Sequence, residues 1–162
     1  MRIVIQRAAG AQVSVDGHVT GAFAGPGLVI LVGVTPGDTS VIAAKLADKA
    51  YDMRLFDVTH AEAAQACLPP GSGKELSAAD LGLPVLVISQ FTLYANTRKG
   101  RRPTWDAAAP GDIASPLVDA FAEQLNSRGV DVQRGVFGAD MQVTLTNDGP
   151  MTIIVDSADQ AN

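Results

Sequence analysis

Residues 147–152 read Asn-Asp-Gly-Pro-Met-Thr and separate two strand-like runs, 141–146 and 152–155. Proline cannot donate a ladder hydrogen bond, so Gly149-Pro150 forces a defined turn with exposed carbonyls. On its own the dipeptide reads as a tight hairpin corner. A second polar segment, Ser89-Gln90-Phe91-Thr92-Leu93, interrupts an apolar run, and the two together are more specific than either. Alternation along an extended 85–94 puts Gln90, Thr92 and Tyr94 on one face, where they line a pocket at a sheet edge or else face water. Gly138 and Ala139 are small enough to let a ligand approach the backbone, and would serve a plain turn equally well.

The usual agents of catalysis are nearly absent. His18 sits beside a hairpin turn and His60 in a low-complexity loop; both are expected to be exposed, and neither has a Ser or Cys partner for a triad. Cys67, the single cysteine, reads as an incidental loop thiol. Asp48 and Asp52 fall at i, i+4 on a helix, as a solvated face would. No Cys/His spacing suggests a metal site. A reaction at such a site leans on backbone N–H and C=O groups and on the substrate's own groups, which suits a reactive substrate such as an activated ester.

These groups need a frame to hold them. The 162 residues fit one domain, and a composition 47% hydrophobic and 18% charged can bury a core. The N-terminus carries no signal-peptide pattern and no apolar run reaches a membrane span, so a soluble cytoplasmic protein is expected. The net charge of −5 argues against indiscriminate nucleic-acid binding. Arg98, Lys99, Arg101 and Arg102 nevertheless share one five-residue window without an acid, either as a solvated loop or as a small phosphate footprint.

Residues 2–7 read as a first strand, and 12–15 and 18–23 flank the hairpin dipeptide Asp16-Gly17. After Gly25-Pro26-Gly27, the apolar run 28–34 suits a doubly buried strand. A helix capped by Asp38 or Thr39 carries the stripe Val41, Leu46, Ala50 and Met53. Residues 58–83, with Pro69-Pro70-Gly71-Ser72-Gly73, read as an excursion loop, and 84–94 as the clearest strand. A loop over 103–111 holds Trp105. A second helix is expected over 115–128, with Ser115 as cap, Pro116 at its first position and Gly129 as its stop. Strands at 130–134, 141–146 and 152–155 close the chain. The class is α+β: a mainly antiparallel sheet or partial β-barrel with two packing helices.

Taken in order, Gln6-Arg7, Ser89-Gln90-Phe91-Thr92-Leu93, Lys99-Gly100-Arg101-Arg102-Pro103, Gly135-Val136-Phe137-Gly138-Ala139-Asp140-Met141 and Asn147-Asp148-Gly149-Pro150-Met151-Thr152 resemble the D-aminoacyl-tRNA deacylase family. The pieces span nearly the whole chain, so the resemblance covers a single domain, 1–162. It implies hydrolysis of D-aminoacyl-tRNA and of mischarged glycyl-tRNA, no cofactor, and a homodimer with its active site at the subunit interface. Ser89, Gln90, Phe91, Thr92, Phe137, Gly138 and Ala139 would surround the terminal adenosine and the ester carbonyl. Gly149-Pro150, with a cis bond, would enter the partner's pocket as a chirality filter, oriented by Arg7. Read alone, Arg7 is a surface strand charge.

By that resemblance two fixed main-chain carbonyls accept the substrate α-ammonium and crowd out an L side chain. Thr92 matches a threonine once considered a nucleophile, but no base is evident beside it. Water attack assisted by the ribose 2′-hydroxyl fits better. Arg98, Lys99, Arg101 and Arg102 are then candidates for tRNA phosphate contacts. The chain departs from the family at Gly73-Lys74-Glu75-Leu76-Ser77, in place of a Lys-Met-Asn-type segment, in an apparent insertion over 60–70, and at Met151 where valine is common. Two alternatives stand beside this reading: an editing enzyme of relaxed chirality that removes a small L-amino acid, and a non-catalytic nucleic-acid-binding module.

Overall fold

The chain opens with two long strands, β1 (Arg2–Val15) and β2 (His18–Gly33), joined at Asp16-Gly17. Asp16 and Gly17 have φ of 50° and 78°, and Val15 pairs with His18, as a two-residue hairpin with mirror-image turn geometry requires. The computed structural model describes residues 1–68 and 71–160; Pro69 and Pro70 of the expected excursion lie outside these. Helix α1 (Ser40–Asp52) follows, capped by the Thr39 hydroxyl, which accepts from the Ile42 N–H at 3.3 Å. Then come β3 (Arg54–Phe56), α2 (Val58–Ala63), β4 (Leu76–Ser77), α3 (Ala78–Leu81) and β5 (Val85–Ser89). Helix α4 (Gly111–Ser127), β6 (Val132–Arg134) and β7 (Met141–Asp156) complete the order.

The main sheet has the order β6-β5-β2-β1-β7. It is antiparallel at β1–β2 and β1–β7 and parallel at β2–β5 and β5–β6, so its two ends stay open and no barrel closes. The apolar run in β2 does face two cores. Leu28, Ile30 and Val32 pack beneath α1 and α4, together with Phe121 and Leu125. Val29, with Leu86 and Ile88 of β5, belongs to a second cluster built from strand residues alone. A register shift at Gly10, whose φ is 110°, resets the alternation of β1, so Ala11 and Val13 join Ala8 in that second cluster.

Four sequence expectations are corrected. Residues 58–83 are not a plain loop: Asp57 caps α2 and Ser77 caps α3, each in a capping box with the residue three positions on. Helix α4 starts at Gly111, not at Ser115, and Pro116 lies inside it. Burial of Ala114 against the core extends the helix backwards, and near its start the missing Pro116 N–H removes only one intrahelical bond. Gly129, with φ 79°, stops it as expected.

Strand β5 ends at Ser89, and Phe91–Tyr94 form a 3₁₀ turn that breaks the expected alternation. That turn nests on Gly33: a Cβ there would lie 3.0 Å from Leu93 Cβ and 3.1 Å from the Gln90 carbonyl. Finally, the Gly149-Pro150 segment is not a hairpin corner. Both flanks pair with β1 in one direction, Asn147 opposite Ala8 and Thr152 opposite Gln6, so five steps along β7 span two of β1 and the segment loops outward. Because β7 is an edge strand, Pro150 removes no ladder bond. The Asn147 amide closes the base of the loop, donating to the Arg7 carbonyl at 3.0 Å and the Met151 carbonyl at 3.4 Å.

Candidate active site

A cavity of about 510 Å³ opens where β2 and β5 end. Ser89, Gln90 and Phe91 line one wall, and Phe137, Gly138 and Ala139 another. The two segments singled out in the sequence, 47 positions apart from Gln90 to Phe137, are thus brought to one pocket because β5 and the turn after β6 sit side by side. Gly138, at φ 75°, makes that turn, with the Ala139 N–H donating to the Val136 carbonyl at 3.2 Å.

Thr92 does not line the cavity; its hydroxyl accepts from the Gln90 side-chain amide at 2.5 Å. An amide is no base, so this contact orients Gln90 and does not activate Thr92. Burial pushes the Tyr94 hydroxyl upward, which keeps that phenol protonated. Asp140 is the one titratable side chain lining the cavity among the described residues. The main-chain N–H groups of Phe91 and Thr92, at the start of the 3₁₀ turn, and of Phe137 and Gly138 donate to no protein acceptor among the described residues. Such donors are what a developing oxyanion needs.

The rim is aromatic. Phe91, Phe137 and Trp105 are all exposed, and Phe91 meets Trp105 edge-on with ring centroids 5.7 Å apart. Trp105 was placed only in a loop by the sequence; its proximity to the basic window was the available signal. The Asn96–Thr104 bridge, with N–H to O distances of 2.7 and 3.1 Å, closes the loop that carries Arg98, Lys99, Arg101 and Arg102. All four are exposed, and none makes an ion pair among the described residues.

Arg7, Gly149 and Pro150 form a second constellation away from this cavity. Gly149 and Pro150 are exposed and their peptide bond is cis. Arg7 is largely buried, with Nε 3.0 Å from the Asp148 carbonyl and 3.2 Å from its Oδ2, and with a terminal nitrogen donating to the Leu55 carbonyl at 2.5 Å. It is no mere surface charge. His60 is largely buried too, not exposed as expected: its Nε2 lies 2.8 Å from Asp148 Oδ2 and its Nδ1 2.8 Å from Asp57 Oδ1. The Asp57 carboxyl is held well below the usual carboxylate range by hydrogen bonds from the Thr59 hydroxyl and from His60. The spacing Asp57-x-x-His60 was the signal for its helix start.

The family model described as D-Tyr-tRNA(Tyr) deacylase matches residues 4–156. A D-aminoacyl-tRNA deacylase of Cutibacterium acnes is 52% identical over 159 residues, covering 98% of this chain and 99% of its own. Those of Nocardia farcinica and Streptomyces coelicolor are 52% and 51% identical, covering 97% and 96% of this chain and 100% and 99% of their own. Among solved structures, a c-Myc DNA Unwinding Element Binding Protein is similar with TM-score 0.79 and 32% identity, over 96% of this chain and 98% of that one. A probable eukaryotic D-amino acid tRNA deacylase shares the fold at TM-score 0.76 and 16% identity, over 95% and 97%.

Proposed function

The chain belongs to the D-aminoacyl-tRNA deacylase family, hydrolases of the aminoacyl-tRNA ester, and we propose that it clears D-aminoacyl-tRNA and mischarged glycyl-tRNA through a site shared between two copies. The observation that carries this reading is a separation. The cavity holds free main-chain donors and neighbouring aromatics, whereas Gly149 and Pro150 stand on an exposed edge elsewhere. In register, Val143 of the cavity lies opposite Val13 and Asn147 opposite Ala8, five residues or roughly 16 Å along β1. A filter so placed acts on the pocket of a second copy.

Homodimerisation also fits the surface. Among the described residues, strand β7 leaves one edge of 16 residues without a partner strand, Ile154 on it is 67% exposed, and the second apolar cluster contains no helix residue. In the assembled site the terminal adenine stacks on the aromatic rim while the ester carbonyl faces the Phe137-Gly138-Ala139 turn. Water attacks the ester with help from the ribose 2′-hydroxyl, and main-chain N–H groups steady the oxyanion. The Gly149 and Pro150 region of the partner accepts the α-ammonium and leaves no room for an L side chain; glycine, with none, passes. Arg98, Lys99, Arg101 and Arg102 meet tRNA phosphates.

Hydrolysis of D-tyrosyl-, glycyl- and L-tyrosyl-tRNA tests the activity, with loss of the first two esters only as the expected result. Subunit mixing tests the shared site. Gln90→Ala impairs the pocket and Gly149→Ala the filter; random mixed dimers should regain roughly a quarter of wild-type activity, since half are mixed and each has one intact site. A second reading, a nucleic-acid-binding module, draws on the similar DNA-element-binding protein and on the unpaired basic loop. Tight tRNA or DNA binding without any ester hydrolysis would favour it. Cleavage of small L-aminoacyl esters would favour the relaxed editing enzyme.

A further inference from the structure

Asp148, the residue immediately before Gly149, is gripped from two sides. From β1, Arg7 holds both its carbonyl at 3.0 Å and its Oδ2 at 3.2 Å. From α2, His60 Nε2 reaches the same Oδ2 at 2.8 Å across 88 positions of sequence. His60 is itself fixed. Its Nδ1 faces both the Asp57 N–H, at 3.1 Å, and Asp57 Oδ1, at 2.8 Å, within the capping box of α2. Its ring meets Phe56 edge-on, with centroids 5.3 Å apart, and its side chain is only 11% exposed.

This geometry works for either charge state of the imidazole. When the ring is neutral, Nδ1 accepts the Asp57 N–H and the proton sits on Nε2, facing Asp148. When it is protonated, Nδ1 donates to Asp57 Oδ1 and Nε2 still donates to Asp148. Either neutral tautomer sets one ring lone pair against a carboxylate, but Nδ1 has the Asp57 N–H to offset Asp57 Oδ1 whereas Nε2 has no such donor beside Asp148, so the Nε2–H form is the better of the two. In that tautomer and in the imidazolium alike, a donor points at Asp148.

We infer that His60 is a positioning residue for substrate handedness: with Arg7 it fixes Asp148, and through Asp148 the Gly149-Pro150 loop. The inference rests on the reading of Gly149-Pro150 as the chirality filter, and adds to it a grip supplied by the segment in which this chain departs from the family pattern. A loop standing out from an edge strand has few contacts of its own, and the Asn147 amide closes only its base. Without a rigid Asp148 the carbonyls beyond it would wander, and rejection of L-substrates would suffer first, because it depends on tenths of an ångström of crowding.

The test compares initial rates on D- and L-tyrosyl-tRNA for wild type, His60→Ala and His60→Gln, with melting temperatures alongside. His60→Ala is expected to lower the D-over-L rate ratio by about tenfold, the order of one charge-assisted hydrogen bond, with melting shifted by less than about 3 °C. His60→Gln, whose amide can still donate to Asp148, is expected to recover most of the ratio; a purely structural role for His60 would not separate these variants by ratio. Should His60→Ala fail to fold, Asp148→Asn replaces it, and adding His60→Gln to Asp148→Asn is expected to cost nothing further in the ratio. An unchanged ratio in His60→Ala or, in its place, Asp148→Asn, with an active, D-selective wild type, overturns the inference and leaves the filter reading standing. A wild type with no D-selective hydrolysis overturns both.

Discussion

Replacing Gly33 with alanine perturbs the candidate site without touching a side chain in it. Gly33 is buried at the end of β2, beneath the 3₁₀ turn that follows Ser89. An added Cβ would lie 3.0 Å from Leu93 Cβ, 3.1 Å from the Gln90 carbonyl and 3.4 Å from Leu93 Cδ1. Two of these neighbours belong to or adjoin the backbone, so relief comes only by moving the turn outward by a few tenths of an ångström. Overpacking of this kind costs about 1–3 kcal/mol of stability. The functional effect should be larger than that alone suggests, since the same turn carries the free N–H groups of Phe91 and Thr92 and the Gln90–Thr92 contact. Misplacement by 1 Å can cost about a hundredfold in rate, so a shift of a few tenths should cost on the order of tenfold in kcat, with KM little changed. Single-turnover hydrolysis of D-tyrosyl-tRNA by Gly33→Ala measures this, with Gly37→Ala, where a Cβ meets nothing within 4 Å, as the control. A folded Gly33→Ala protein with wild-type kcat would refute the claim that the turn positions the chemistry.

The same geometry carries three further expectations. Gly149→Ala meets only Asn147 Oδ1 at 3.5 Å and the Met151 N at 3.8 Å, both ordinary contacts, so melting should move by less than about 2 °C while D-ester hydrolysis falls at least about tenfold; equal losses in stability and rate would place the constraint inside the subunit. Alanine at Arg98, Lys99, Arg101 and Arg102 together should raise KM for aminoacyl-tRNA and flatten its salt dependence by up to about 0.7–0.9 log units per lost phosphate contact, with kcat retained; an unchanged salt slope would remove the loop from the interface. In acid, Asp80 is held low by the Ser77 N–H and hydroxyl, and Asp156 is also low because bonds from the Ala158 N–H and Arg2 outweigh its burial. Both folded-state pKa values lie below the unfolded ones, so their stabilisation is present above about pH 4 and is lost as pH falls through the folded values; urea midpoints should be flat from these groups above about pH 5 and decline below about pH 4.

Where local chemistry decided the outcome, the sequence was legible. Asp16-Gly17 made its hairpin, Thr39 its cap, Gly129 its stop, and the apolar run 28–34 its doubly buried strand. The misreadings fall where a distant partner decides. Phe91, Leu93 and Tyr94 suit a strand as well as a turn, and it is the space above Gly33 that selects the turn. Pro116 looked like a helix start until burial of Ala114 carried the helix past it. The two strands around Gly149-Pro150 looked like a hairpin because nothing local reveals that both pair with β1 in the same direction. His60 looked like a loop histidine because Asp148, its partner, comes from the far end of the chain. The pocket segments themselves were legible as polar and small residues in apolar surroundings, and their meeting required the parallel β2–β5–β6 arrangement.

The measurement that bears most directly on the central claim is the ratio of initial hydrolysis rates for D- and L-tyrosyl esters of one tRNA, at matched concentrations and corrected for spontaneous loss. A shared pocket with a fixed Gly149-Pro150 filter is expected to favour the D-ester by about two orders of magnitude or more. Equal rates for the two enantiomers, or no hydrolysis of either, would contradict it.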